Sequence, residues 1–408
     1  MSKPFVIALV GISQPGYTCL ANRYLRGALK QDTRLPSLAV ATLEYDVGVD
    51  AWWVVYELLS LEYPVDLVCF SVYCWNASIV YESIELLHSV RPDLPIVLGG
   101  PEVGPLAPEI KKRFDYLAAI IPGEGERALG DVVHALVRGG DLELLPVRDL
   151  IEDLDSIPSP YTDAAPPATD GSAYLETYRG CPHRCAYCYE GKGVSRIRSF
   201  SFERIAADIE RLARTPGMKS FSFVDSVFNL TTERLRKLSD ILAPHAERGI
   251  RLHTIEVDIE NVDEEQARLL RRAGVVSVET GPQTVGKRAL ELSHRSLDKA
   301  AYRAGVQACK REHIRVEADL IIGLPGDTVS DVLEGFAFVL DVDPGVIQAS
   351  TLHVLPGTTL YDDADELGVT FDPNPPHEVI ETADISYTDL RNLEVFGLAL
   401  GRLYRARI

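Results

Sequence analysis

The chain has 408 residues, and its 60 acidic against 41 basic side chains give a formal charge of −19. An acidic excess without a cluster of Lys and Arg speaks against a nucleic-acid partner, which needs grouped cations to displace counterions. At 46% apolar residues the composition supports packed cores, while no apolar run reaches the roughly 20 residues of a membrane helix. Residues 1–4 lack the layout of a signal peptide, and seven cysteines, an odd and sparse set, fit a reducing cytoplasm.

Residues 1–140 read as one α/β domain. Phe5–Val10 is a buried strand, followed by the turn Gly11-Ile12-Ser13-Gln14-Pro15-Gly16 and a helix over Tyr17–Lys30. Strand and helix then alternate: Leu38–Leu43, Asp50–Leu61, Asp66–Val72, Asn76–Val90. A fourth strand, Pro95–Leu98, ends at Gly99-Gly100, and a fifth, Leu117–Ile121, ends at Pro122-Gly123 before the helix Glu126–Val137. Strict alternation predicts a five-stranded parallel, Rossmann-like sheet, with ligands at the carboxyl ends of its strands. Residues 141–170 break the rhythm with Pro146, Pro158, Pro160, Pro166 and Pro167 and read as a linker.

Residues 171–370 alternate again. Strand-like runs at Ala173–Tyr178, Ser220–Val224, Arg251–Val257, Val275–Val278, Val316–Ile322 and Ile347–Val354 make about six βα units, a partial barrel. One helix spans Phe202–Arg214 with Ile205, Ile209 and Leu212 on a face; another spans Glu264–Arg272 between the cap Asp263 and Gly274. Residues 371–408 form a short helical segment. Its helix, Thr388–Arg405, repeats Leu390, Leu393, Phe396, Leu400 and Leu403 at helical spacing, a face expected to pack on the barrel.

Three of the cysteines lie in Arg179-Gly180-Cys181-Pro182-His183-Arg184-Cys185-Ala186-Tyr187-Cys188-Tyr189, a C-x3-C-x2-C spacing after a strand. Soft thiolates at such spacing hold iron–sulfur clusters. Three ligands cover three corners of a 4Fe-4S cube and leave one iron open to a reactant. Structural zinc would ask for a fourth Cys or His, and His183, inside the loop, is poorly placed to be one.

This segment resembles the radical S-adenosylmethionine (SAM) superfamily, including the aromatic Tyr187 just before the third cysteine. The resemblance implies that Cys181, Cys185 and Cys188 hold a 4Fe-4S cluster whose open iron chelates SAM. It extends to Phe221–Asn229, where Asp225 and Asn229 would face SAM; to Val278-Glu279-Thr280-Gly281, where Glu279 would meet the ribose; to Ile321–Gly326, where Gly323 and Pro325 would back the adenine; and to Leu355–Tyr361. Tyr187 completes the implied SAM contacts.

The N-terminal half is similar to the cobalamin-binding domain of cobalamin-dependent radical SAM enzymes. The implied corrin contacts are Gly11 and Gln14 after the first strand, Ser71, Tyr73, Trp75 and Asn76 after the third, Gly99, Gly100 and Glu102 after the fourth, and Gly123 and Glu124 after the fifth. The D-x-H-x-x-G frame that supplies a cobalt ligand in mutase-type domains is not present: His88 and His134 both fall on expected helices. Cobalt without a protein imidazole is therefore expected, with Trp75 against its lower face.

The expectation is a cytoplasmic, cobalamin- and SAM-dependent methyltransferase acting on an unactivated carbon of a small-molecule or peptide natural-product precursor. The implied route runs through methylcobalamin and a deoxyadenosyl radical and needs a reductant such as flavodoxin or ferredoxin. Alternatives are a cobalamin-using radical SAM cyclase or ring-rearrangement enzyme, a methylthiotransferase, and a non-catalytic cobalamin sensor. The methylthiotransferase reading rests on Cys19, Cys69 and Cys74, but Cys69 sits inside a buried strand and the spacing differs. A sensor would need no cluster with an open iron.

Overall fold

The computed structural model describes residues 3–140, 142, 150–161, 170–189, 196–253 and 255–406. It divides into two compact units, residues 1–168 with 374–376, and residues 169–373 with 377–408.

In the first unit, β1 (Phe5–Ser13), α1 (Leu20–Gln31), β2 (Leu38–Asp46), α2 (Ala51–Leu59), β3 (Leu67–Ser71), α3 (Ala77–Val90), β4 (Ile96–Gly99), α4 (Ala107–Arg113), β5 (Ala119–Ile121) and α5 (Gly125–Arg138) follow in order. The parallel sheet runs β2-β1-β3-β4-β5. Between its ends β1 is apolar and buried, as a strand covered on both faces must be. Val6, Ala8, Val10 and Ile12 enter one core with Val54, Leu58, Val80 and Ile84 of α2 and α3, while Ile7 and Leu9 enter the other with Leu29, Leu129 and Val133 of α1 and α5. α4 fills the β4–β5 connection, where the sequence reading set no helix. Part of the expected linker packs as well: Ile151, Leu154, Ile157 and Tyr161 are buried, and the Ile151 N–H donates to Glu124 Oε2 at 2.6 Å. Pro146, Pro166 and Pro167 lie outside the described residues.

The second unit contains β6 (Ser172–Leu175), β7 (Tyr178–Arg179), β8 (Arg198–Ser199), α6 (Phe202–Ala213), β9 (Ser220–Phe223), α7 (Thr232–Glu247), β10 (Arg251–Leu252), β11 (Ile255–Glu256), α8 (Glu264–Arg272), β12 (Ser277–Gln283), α9 (Lys287–Leu292), α10 (Lys299–Arg311), β13 (Arg315–Ile322), α11 (Val329–Val342), β14 (Val346–Thr351), α12 (Thr359–Asp362), β15 (Thr370–Phe371), β16 (Val379–Glu381) and α13 (Tyr387–Arg405). β6, β9 and β10 pair in parallel, as do β11 to β14, and a parallel bridge between Leu252 and Val275 joins the two sets. The third strand thus comes as two segments, and the six expected strands wind in chain order. α8 has the bounds read from sequence, with the Asp263 side chain accepting from the Gln266 N–H. β7–β8 and β15–β16 are two-stranded additions.

α13 packs on the barrel through a stripe displaced from the expected one. Leu390, Leu393, Gly397, Gly401 and Tyr404 are buried, whereas Phe396 and Leu403 are 45% and 68% exposed. The displacement has a steric cause. A Cβ on Gly397 would lie 2.9 Å from the Ala349 Cβ, and one on Gly401 would lie 2.9 Å from the Ile347 carbonyl oxygen, so the glycines bring the helix closest to β14 and turn the larger apolar side chains outward. Among the described residues no helix is long and apolar enough to cross a membrane.

Gly305 presses α10 onto the Ile259 carbonyl, where a Cβ would collide with the oxygen. Gly305→Ala is expected to destabilise the second unit by roughly 1–3 kcal/mol, seen as a lower thermal unfolding midpoint. An unchanged midpoint would contradict this packing.

Candidate functional site

The three cysteines of the C-x3-C-x2-C segment share one loop after β7, and none is in a disulfide. Gly180, at φ +101, turns the chain from β7 into the loop, a conformation L residues resist. The loop is then held from several sides. The Tyr178 hydroxyl accepts from the Val227 N–H at 2.6 Å and donates to the Val227 carbonyl at 2.9 Å. The Ser226 hydroxyl donates to the Gly180 carbonyl at 3.0 Å. Further along, the Ala186 N–H donates to the Ser293 carbonyl at 3.0 Å, and the Ala186 carbonyl accepts from the Leu360 N–H at 2.9 Å.

Arg295 completes this surround. It donates to Cys185 Sγ at 3.4 Å and to the Gly281 carbonyl at 3.0 Å. Burial works against its charge, but Tyr187 and Cys185 outweigh burial and raise its pKa. Burial pushes the Tyr187 phenol well above its ordinary range. Among the described residues no three His, Cys, Asp or Glu side chains close on a single metal ion; a cube of four irons binds its thiolates on separate irons, farther apart than the ligands of one ion. The donor set of three thiols on one clamped loop with a cation against one sulfur fits such a cluster.

Next to the loop, at the carboxyl ends of the strands, lies a cleft of about 370 Å³ lined by Ser226 and Val227, by the 256–260 segment, by Glu279–Gly281 and by Arg295, Tyr302 and Asp319. It carries five carboxylates: Glu256, Asp258, Glu260, Glu279 and Asp319. His183 stands 3.7 Å from Asp258, and Glu260 accepts from the Asp298 N–H. Asp319 lies beside Glu279 on the neighbouring strand. Burial first, then the charge and hydrogen bond of Glu279, push the Asp319 carboxyl up to about 9, against the pull of a 3.2 Å hydrogen bond from Gln348. Asp319 therefore carries a proton at neutral pH.

In the first unit, the strand order places a topological switch between β1 and β3, where such sheets bind ligands. The Asn76 amide ties this point together. It donates to the Ile12 carbonyl at 2.9 Å and the Ser71 carbonyl at 3.1 Å, and its oxygen accepts from the Tyr73 N–H at 2.8 Å. Gly11 sits against α1, where a Cβ would meet the Cys19 Cβ at 2.6 Å and Asn22 Nδ2 at 2.9 Å. The Ser71 hydroxyl donates to Asn22 Oδ1 at 2.9 Å; Asn22 Nδ2, buried, has no hydrogen-bond partner among the described residues. Tyr73 and Trp75 stack with centroids 4.5 Å apart, and Trp75 is exposed. Gln14 is exposed in the turn after β1, and Gly99 ends β4. Gly100, at φ +116, lies against the Val72 carbonyl. Glu102 is buried, Gly123 forms the open turn after β5, and Glu124 begins α5 with its carboxylate on the Ile151 N–H. His88, in the last turn of α3, stacks on Tyr116, at the amino-end side of the sheet, and His134 lies in α5.

Residues 175–339 match the model of the Radical SAM superfamily. These residues form a radical SAM domain. Among curated relatives it is similar to an uncharacterized methyltransferase, PH0819, of Pyrococcus horikoshii, with 26% identity over 69% of this chain and 65% of that one. It is also similar to the anaerobic magnesium-protoporphyrin IX monomethyl ester cyclase of Rubrivivax gelatinosus, at 22% identity over 86% of this chain and 66% of that one. The chain thus spans just under two thirds of the length of both relatives. Among solved structures, the radical SAM methyltransferase TsrM of Kitasatospora setae, with tryptophan and a SAM analogue bound, aligns at a TM-score of 0.72 and 18% identity. It covers 95% of this chain and 88% of its own, so the two-part layout is a shared fold.

Within the radical SAM domain, the sequence-derived SAM contacts separate. Glu279 lines the cleft, and Tyr187 stands by Arg295 and Cys185. Asp225 and Asn229 are both 2% exposed and bound inside the protein. Asp225 accepts from the Thr177 N–H at 2.7 Å and from the Thr177 hydroxyl. Asn229 accepts from the Asp258 N–H at 2.8 Å and donates to Gln266 at 2.9 Å. Asn229 thereby supports Asp258 of the cleft wall from behind, while Asp225 secures Thr177 just before β7. Gly323 and Pro325 are buried, Gly323 against Val379 and Leu390. Sequence reasoning missed Arg295, Tyr302 and Asp319, which lie outside the motifs; Asp319 continues the alternation of charged and buried apolar residues along β13 and so does not stand out. The remaining thiols are structural: burial pushes Cys19 and Cys74 up to about 11 and Cys309 up to about 12, and raises Cys69 further.

A carboxyl whose folded-state pKa exceeds its unfolded value stabilises the fold fully below the unfolded value and loses that contribution as pH rises through the folded one. For Asp319 the window runs from about 4 to about 9. Asp319→Asn, neutral throughout, is expected to match the wild type near pH 4 and to exceed its stability increasingly toward pH 9, by on the order of a few kcal/mol. Thermal unfolding across that range tests this, and a difference that does not change with pH would refute it.

Proposed function

We propose that this chain is a cobalamin-dependent radical SAM methyltransferase that methylates an unactivated carbon of a small molecule or peptide precursor, with a one-electron reductant as partner. The observation that carries the reading is the clamped three-cysteine loop opening onto a polar cleft at the barrel strand ends, in a chain that also has a five-stranded parallel unit. The solved TsrM structures support it, one of them holding cobalamin and a [4Fe-4S] cluster, as does the relative named a methyltransferase.

Cys181, Cys185 and Cys188 would hold the cluster. When bound, the cluster with SAM and the corrin supply radical generation and methyl carriage. The protein's own part is positional. Arg295 sets a positive charge against Cys185 Sγ while its second nitrogen stays on Gly281, coupling the loop to the end of β12. Glu279 offers carboxylate oxygens to ribose hydroxyls. In the first unit Asn22 Nδ2, unpartnered among the described residues, would supply a donor, and the stacked Tyr73–Trp75 pair would offer the corrin an apolar surface. A ring-forming reaction is the second reading, favoured by the cyclase relative that aligns over 86% of this chain; product analysis decides between added methyl and new ring.

Anaerobic reconstitution tests the proposal. The wild type should hold about four irons and release S-adenosylhomocysteine or deoxyadenosine from SAM, whereas Cys185→Ala should lose the iron–sulfur absorbance. A full cluster in that variant overturns the ligand assignment. Bound cobalamin in the Co(II) state should show no imidazole-nitrogen coupling in its paramagnetic resonance spectrum, and His88→Ala should leave the spectrum unchanged. Coupling from a histidine would overturn the assignment of Trp75 to the lower face.

A further inference from the structure

The sheet of the first unit ends on one side in β2, which meets only β1, residue for residue from Leu38 against Phe5 to Asp46 against Ser13. Peptide groups of a strand point alternately to its two sides. The Ser37 carbonyl accepts from the Phe5 N–H, and the Val47 N–H donates to the Ser13 carbonyl, so the odd-numbered residues turn their backbone groups toward β1. The even-numbered ones, Leu38, Val40, Thr42 and Glu44, turn theirs to the open edge, where no strand meets them among the described residues. Natural edges are usually blunted by brevity, a bulge, proline or lysine. β2 has nine residues in unbroken register, and Leu38-Ala39-Val40-Ala41-Thr42-Leu43 contains neither charge nor proline. A groove of about 230 Å³ lies against it, lined by Ala39, Val40, Ala41, Leu61 and Tyr63, with Glu62 its one charged residue.

The next element, α2, turns an aromatic face to solvent. Trp52, Trp53 and Tyr56 are 69%, 51% and 60% exposed, and Tyr63 after the helix is 49% exposed. Glu57 stands close to Tyr45 of β2, so Trp53, one turn before it on the same face, lies on the β2 side of the helix. We propose that this edge is the interface of a homodimer, in which β2 pairs antiparallel with β2 of a second copy about a two-fold axis, flanked by the aromatic face of α2. Three features select a second copy as the occupant. An open edge is its own complement under a two-fold, so one pairing satisfies both protomers. A chain of charge −19 repels its own kind, and copies approach at least cost on an uncharged face; the antiparallel sense also sets the acidic end of each strand, Glu44 and Asp46, beside the neutral Leu38 end of the other. Finally, at about 200 Å² per aromatic side chain the four rings leave on the order of 450 Å² uncovered, over half of the roughly 800 Å² that each partner gives to a stable interface, and the strand edge adds to it. Pairing there leaves the carboxyl ends of the five strands free for a ligand.

The test is sedimentation equilibrium of the reconstituted 408-residue chain from about 1 to 100 μM. The wild type is expected to reach twice the 45.0 kDa of one chain, with a dissociation constant in the micromolar range. Thr42→Pro removes one outward N–H and no bond to β1, a place where an edge strand tolerates proline, and should weaken the dimer at least about tenfold. Trp53→Glu puts a like charge into the flank of the interface and should weaken it by about as much. The second substitution is on the surface, so it decides the matter if Thr42→Pro fails to fold by circular dichroism. Weakening by either folded variant supports the proposal. A wild type that stays monomeric over the whole range overturns it and gives the edge to a foreign strand. A dimer that neither folded variant weakens also overturns it, by placing the interface elsewhere.

Discussion

Two backbone hydrogen bonds at Ala186 fix where the cysteines stand. Its N–H reaches Ser293 after α9, and its carbonyl takes the N–H of Leu360 in α12. The chain between Cys185 and Cys188 is therefore bound to segments that precede α10 and follow β14, distant in sequence and joined only when the strands have wound into a barrel. The loop is too short and too polar to have a core of its own. Its geometry comes from the barrel, and the cleft is shaped by the same strand ends.

The balance of charge in that cleft follows from how parallel strands present their side chains. Along β13 the even-numbered residues are buried, while Glu317 and Asp319 fall on the opposite face. Parallel neighbours in register put Glu279 of β12 next to Glu317, and from there its carboxylate reaches Asp319. Two acids held together in partial burial cannot both ionise at low cost, so one keeps its proton. Away from these acids, Asn229 holds Asp258 of the 256–260 segment, and Asp225 holds Thr177 just before β7.

Much of this architecture could be read before any coordinates. Alternation of apolar runs with helical spacing located the strands of both sheets, because buried parallel strands are apolar on both faces and therefore conspicuous. The cysteine spacing located the loop, since three thiols within eight residues are rarely accidental. Failure came where side-chain chemistry depends on partners remote in sequence. Asp225 and Asn229 sit at a strand end where a ligand contact looks natural, yet Thr177 and Asp258 claim them. Arg295 lies in an unremarkable Ser-His-Arg-Ser stretch, and only the barrel brings it to Cys185. In α13 the apolar stripe misled because contact distance favours glycine: Gly397 and Gly401 carry no hydrophobicity yet mark the closest approach. The Pro-rich segment hid a short apolar pattern, Ile151, Leu154 and Ile157, that packs.

The state of the four remaining thiols has a practical side. Cys19, Cys69, Cys74 and Cys309 are all held in the unreactive SH form at neutral pH by burial, and nucleophilic attack needs the thiolate. An electrophilic reagent applied briefly to the folded apoprotein would therefore find its targets in the Cys181–Cys188 segment alone, so mass spectrometry of alkylated peptides could report occupancy without a spectrum. Accidental exposure to air would mark the same short peptide first, leaving the scaffold chemically intact and open to repair by reductant.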